Sequence, residues 1–221
     1  MPITRLPNGK LLYFAHVPKC AGSAVEQYLK QRFGVLGLQD GAFAQRSASA
    51  AWSLSPPQHM PEAVRRDWLP DALFDGLFAT VRHPLKRLQS VFLFQREVEG
   101  ALPAQMPFHR WIDTLPRSLA LAPYALHGHL RPMAEVVPET AAVFRIEDGL
   151  DPVVDWLDGT AGTTDGPRAI APYNTLKDRL KGNVPEIDLT PEICARVAQL
   201  YAVDYARFGY SEDPGDRKGT T

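Results

Sequence analysis

The segment Tyr13–Leu29, Tyr-Phe-Ala-His-Val-Pro-Lys-Cys-Ala-Gly-Ser-Ala-Val-Glu-Gln-Tyr-Leu, restricts the fold of this chain more than any other. It opens apolar and aromatic, as a short buried strand does, and turns at Pro18-Lys19. After a few small residues, Val25, Leu29 and Phe33 recur at helical spacing. A strand that enters a helix through a tight turn leaves the first amides of the helix unpaired at the positive end of its dipole, where an anion is welcome. Ala21 and Gly22 leave room for a phosphate near the backbone, Ser23 adds a hydroxyl donor and Lys19 a full positive charge. The spacing is not that of a Walker A loop, since the closing Lys-Ser/Thr pair is missing. A second reading of the same residues is a capping box between Ser23 and Glu26, which accounts for the helix start but not for Pro18-Lys19.

A chain of 221 residues suffices for one domain with a sizeable core, here read as 1–212 followed by a disordered tail at 213–221. A formal net charge of -1 argues against a general nucleic-acid binder and makes any anion site a local one. Two cysteines far apart, Cys20 and Cys194, suit reduced thiols and a cytoplasmic setting. The first residues lack the apolar core of a signal peptide, and no apolar run approaches the ~20 residues of a membrane span.

Along the chain, Leu11–Val17 reads as a strand, Ala24–Phe33 as a helix capped by Gly34, and Val35–Leu38 as a short strand. Residues 39–57 form an excursion without periodicity. A short helix is expected over Met60–Trp68 and a strand over Gly76–Val81. A helix then begins with Pro84 in its first turn and buries Leu85, Leu88, Val91 and Phe92. Shorter helices are expected at Phe108–Leu115 and Leu119–His127, separated by Pro116. A strand at Ala141–Ile146, an acidic turn at Glu147-Asp148 and a helix over Pro152–Leu157 follow, then a Gly/Thr-rich loop over Gly159–Pro167. Thr190-Pro191 starts a last helix that Gly209 ends. The alternation predicts an α/β fold with a central, mainly parallel sheet flanked by helices on both faces. Ligands of such sheets bind beyond the carboxyl ends of the strands. Lys19 and Arg82 each follow such an end and are expected to face one crevice.

Arg82-His-Pro-Leu-Lys-Arg-Leu-Gln-Ser90 is the second chemical motif. Arg82 offers a two-pronged donor for a phosphate and Ser90, two helical turns on, a single hydroxyl; Lys86 and Arg87 read as a solvated basic face. With this motif in view, His16-Val-Pro-Lys-Cys-Ala-Gly-Ser23 resembles the 5′-phosphosulfate-binding motif of sulfotransferases, and Arg82–Ser90 resembles their 3′-phosphate-binding motif. The carbohydrate sulfotransferases, including the heparan sulfate 2-O and chondroitin types, are the most similar branch. Phe144–Asp148 and Tyr201–Tyr210 resemble the strand with acidic turn and the closing helix of that family. Cys20 stands where Thr is frequent, and His83 where Asp or Asn is.

The resemblance implies the P-loop-nucleotide-hydrolase-like sulfotransferase fold and the donor 3′-phosphoadenosine 5′-phosphosulfate (PAPS), without a metal. The acceptor is then a hydroxyl of a carbohydrate or sugar-containing molecule. Pro18, Lys19, Cys20, Ala21, Gly22 and Ser23 would form the 5′ cradle, and Arg82 with Ser90 would hold the 3′-phosphate. Lys19 would also neutralise the bridging oxygen as it leaves. His59 is assigned as the base that takes the acceptor's proton, with His127 and His129 as the rival base or acceptor-binding pair. His16 reads as a residue that shapes the turn, and Cys20 as small packing rather than a nucleophile. Glu147 and Asp148 read as a turn and helix cap before acid-base groups, and Asn174-Thr175 as a remote cofactor contact. Alternative functions are a non-catalytic binder of adenosine 3′,5′-bisphosphate and a small nucleotide-dependent kinase. Neither the acceptor nor the oligomeric state is legible.

Overall fold

Three consecutive large apolar residues, Leu12, Tyr13 and Phe14, are all fully buried, which requires cover on both faces of the strand that carries them. In the computed structural model, which describes residues 2–47 and 53–213, that strand lies inside a four-stranded sheet. The tail from 214 on and the centre of the 39–57 excursion lie outside the described residues.

The elements run β1 (Ile3–Arg5), β2 (Leu11–Ala15), α1 (Gly22–Phe33), α2 (Glu62–Trp68), β3 (Gly76–Val81), α3 (Pro84–Leu93), α4 (Phe108–Leu121), β4 (Ala142–Arg145), α5 (Asp151–Ala161), α6 (Leu176–Arg179), α7 (Pro191–Leu200) and α8 (Ala202–Phe208). A π-helical stretch, Phe94–Val98, extends α3. The sheet order is β1-β2-β3-β4, with β2, β3 and β4 parallel and β1 antiparallel to β2. The fold is α/β. Among the described residues, no helix is long and apolar enough to cross a membrane.

Two compact units make up the chain, the first from the N-terminal residues to Val81 plus Glu135–Tyr173, the second Arg82–Ala134 plus the residues from Asn174 on. In the first, Leu12 and Phe14 of β2 and Phe78 of β3 pack with Val25 and Leu29 of α1 and Val153 and Leu157 of α5. Each such side chain contributes roughly 1.5–3 kcal/mol on burial. Tyr13 points to the opposite face, where the Arg65 guanidinium of α2 lies 5.3 Å from its ring centre. Arg65 is itself fully buried, pairs with Glu62 and with Asp71 at 2.5 Å, and donates to the Leu69 carbonyl at 2.7 Å. The Arg65 hydrogen bond holds the Asp71 carboxyl below its usual range, outweighing burial, with help from Thr140.

In the second unit, Leu88 and Phe92 of α3, Trp111 and Leu115 of α4 and Val197 of α7 share a core with Tyr201. The fully buried Asp204 of α8 accepts the amides of Met133 at 2.9 Å and Ala134 at 2.8 Å.

Four local expectations are corrected. Pro116 does not separate a pair of helices, because α4 runs through it. The proline forfeits one backbone bond, but buried Trp111, Ile112 and Leu115 hold the helix together on its other face. Among the described residues, Val35–Leu38 makes a single bridge to a strand residue, Ile3 to Gly37, with Leu38 at φ 53. The helix after β4 extends past Gly159, since Ala161 continues its buried face, and Gly162 ends it in the left-handed region at φ 71. The last helix is broken at Tyr201 into α7 and α8, and the Tyr201 hydroxyl donates to the Leu130 carbonyl at 2.7 Å; Gly209 caps α8, as expected.

Candidate functional site

Between β2 and α1 the backbone alternates. Lys19 at φ 67 and Ala21 at φ 61 lie in the left-handed region, which costs an L-residue with a side chain about 1–2 kcal/mol. Cys20 between them is fully buried, as a packing residue is. Its carbonyl accepts the Thr80 hydroxyl of β3 at 2.6 Å, and its amide reaches the Val17 carbonyl at 3.4 Å. These anchors hold the strained turn in place. Strain maintained by its surroundings is typical of ligand-binding turns.

At the helix start, two backbone donors are left open. The amides of Ala24 and Val25 both bond to the Ala21 carbonyl, whereas those of Gly22 and Ser23 have no acceptor among the described residues. No acidic residue occupies the first turn and no side chain caps it, so the positive end of the helix dipole is uncompensated there. Successive amides around left-handed residues form the concave donor arrangement that binds phosphates. Lys19 is half-buried on the same turn.

The Ser23–Glu26 capping box does not form. Glu26 instead accepts the His16 Nδ1–H at 2.5 Å. The His16 ring stacks on Phe14, at 5.7 Å between centres, and fills the space beside Gly22. A methyl group on Gly22 would overlap that ring, so the glycine serves the histidine rather than an approaching phosphate.

His59, at the end of a one-turn 3-10 helix (Pro57–His59), meets the same cluster. Its ring is edge-on to His16 at 4.6 Å, and its Nδ1 is 3.1 Å from the His16 carbonyl. A carbonyl only accepts, so Nδ1 carries the proton, and Nε2 is the basic nitrogen of the neutral ring. Pro18, Lys19, Cys20, Ala21, Gly22, Ser23 and His59 are thus gathered in the first unit around His16.

Arg82 and Ser90 belong to the second unit. Both side chains are half-buried and make no hydrogen bond to protein among the described residues. His83 between them is structural, donating Nε2–H to the Ser211 carbonyl at 3.0 Å and meeting Tyr205 and Tyr210 edge-on. The solvated reading of Arg87 is corrected. Arg87 is fully buried, donates to the carbonyls of His129 at 3.1 Å and Arg131 at 2.8 Å, and lies 5.4 Å from the Tyr201 ring centre. Just before the segment it clasps, Leu126 and His127 are held at positive φ, which is strained for residues with a side chain. His127 is half-buried; His129 is buried, with its Nδ1 3.4 Å from the amide of Gln95 in the π-helical stretch.

The other candidates are occupied locally. Thr175 and Asp178 form a capping box on α6, and Asn174 accepts from Arg179 at 2.5 Å. Asp148 pairs with Arg145 at 3.1 Å. Sequence reasoning missed the Glu26–His16 link, whose only trace is a carboxylate one helical turn beyond Gly22. No protein-family model, curated protein or solved structure matches the chain.

Proposed function

We propose that the protein is a PAPS-dependent sulfotransferase of the P-loop-like sulfotransferase fold, acting on a hydroxyl of a carbohydrate or sugar-containing acceptor. The observation that carries this reading is the cradle after β2, where Lys19 and Ala21 are held left-handed and the Gly22 and Ser23 amides lack acceptors among the described residues. Its donor set suits the 5′-phosphate of such a nucleotide in charge and number. Arg82 and Ser90, without protein hydrogen bonds among the described residues, supply the groups that a second phosphate requires.

PAPS brings the sulfuryl group and a phosphate as leaving group. Lys19 offsets the charge that grows on the oxygen between phosphorus and sulfur as the S–O bond breaks. His59 Nε2 takes the acceptor's proton while the acceptor oxygen forms the new S–O bond. The Gly22 and Ser23 amides keep the 5′-phosphate still, so that attacking and leaving oxygens stay in line.

Calorimetry with adenosine 3′,5′-bisphosphate, followed by a sulfur-labelled donor screen against glycans and small alcohols, tests the reading. Saturable binding and label transfer are expected. Lys19→Ala lowers kcat by roughly 10²–10³. Arg82→Ala weakens the bisphosphate by about 10- to 100-fold, as loss of hydrogen bonds between charged groups implies. A wild-type chain that gives no binding heat rejects the proposal.

A further inference from the structure

The cluster behind the cradle contains two side chains to which the proposed chemistry gives no role, Glu26 and His16. His16 touches His59 twice, through its carbonyl at Nδ1 and through its ring at 4.6 Å. Its own ring is fixed on three sides, by Phe14 in stacking, by the open side of Gly22 and by the Glu26 carboxylate at 2.5 Å. His16 is 7% exposed, which leaves the ring little freedom while Glu26 holds it. On the far side, the His59 amide bonds to the Pro56 carbonyl at 2.8 Å.

We propose that Glu26 and His16 are positioning residues for His59, locking its Nδ1–H tautomer so that Nε2 is the nitrogen that takes the acceptor's proton. The inference rests on the sulfotransferase reading for the chemistry at Nε2, but the lock is measurable without any turnover. Glu26 fixes the His16 Nδ1–H, the fixed ring backs the edge of His59, and the His16 carbonyl accepts its proton. Without the Glu26 carboxylate the His16 ring can turn away, and His59 loses the restraint on its edge.

Long-range proton–nitrogen correlation spectra of the full chain, labelled at histidine nitrogens, read the tautomers directly. The wild-type protein is expected to give the Nδ1–H pattern for His59. Glu26→Ala shifts His59 toward a mixed pattern, and Glu26→Gln, whose side-chain oxygen still accepts, restores it. With labelled donor, Glu26→Ala lowers kcat about tenfold or more, while affinity for adenosine 3′,5′-bisphosphate stays within about threefold of wild type. An unchanged His59 pattern in Glu26→Ala overturns the proposal. Should that variant fail to fold, an Nε2–H pattern in the wild type, or loss of the Nδ1–H pattern in Glu26→Gln, overturns it equally. Failure of the wild-type chain to bind the bisphosphate would reject the sulfotransferase reading and leave the tautomer result standing.

Discussion

Gly22 shows how one side chain's absence can be fixed by its neighbour. Alanine is the better helix former by about 1 kcal/mol, and position 22 opens α1, so propensity alone favours the substitution. The His16 ring decides otherwise, since it already fills the space that the added methyl would take. Gly22→Ala must push out the imidazole and with it the Glu26 bond, an overpacking penalty of roughly 1–3 kcal/mol. Urea unfolding should show a net loss of stability in Gly22→Ala, and a net gain would mean that the ring is not wedged there. From the sequence, the strand, the tight turn at Lys19 and the helix start were legible because an apolar run, a Pro-Lys turn and a helical period adjoin one another. The Glu26 partner of His16 and the burial of Arg87 were not. His16 depends on Glu26 ten positions away, and Arg87 on carbonyls at 129 and 131, so no local pattern records either.

At the scale of elements, a helix and a turn share one buried cation. Arg65 of α2 is held by Glu62 from its own helix and by Asp71 beyond it, with Thr140 also bonded to Asp71. Asp71 has a folded pKa below its unfolded one, so its contribution is complete above the ordinary aspartate range near 4 and fades as pH falls through the depressed value. Asp71→Asn should therefore flatten the acid limb of the stability curve, measured by urea unfolding between about pH 2 and 5. An acid limb identical to wild type would deny the coupling. In α4, Pro116 is exposed and withholds one helical hydrogen bond, so Pro116→Ala should raise stability by up to about 3 kcal/mol. Elements with strong punctuation were readable: β3 is a six-residue run, apolar but for Thr80, and Pro84 opens α3. The three residues of β1 are too few to show a period, and only their pairing with Tyr13, Leu12 and Leu11 makes them a strand.

For the molecule as a whole, the path of the chain matters more than any single contact. The second unit is built from two stretches separated by Glu135–Tyr173, and Asp204 from the later stretch satisfies the Met133 and Ala134 amides at the end of the earlier one. Asp204→Asn turns a donor toward those amides and should cost about 1–3 kcal/mol in urea unfolding. The alternation of apolar runs gave away the α/β class, but the division into units was invisible, because no Pro/Gly-rich linker marks the step from Val81 to Arg82. That interrupted path has a consequence for biosynthesis. A nascent polypeptide can finish the first core once Tyr173 has emerged, while α3 and α4 wait with Leu88, Phe92 and Trp111 uncovered until α7 and α8 arrive. In the interval between those two moments, the apolar faces of α3 and α4 lack the α7 and α8 partners that cover them in the finished fold.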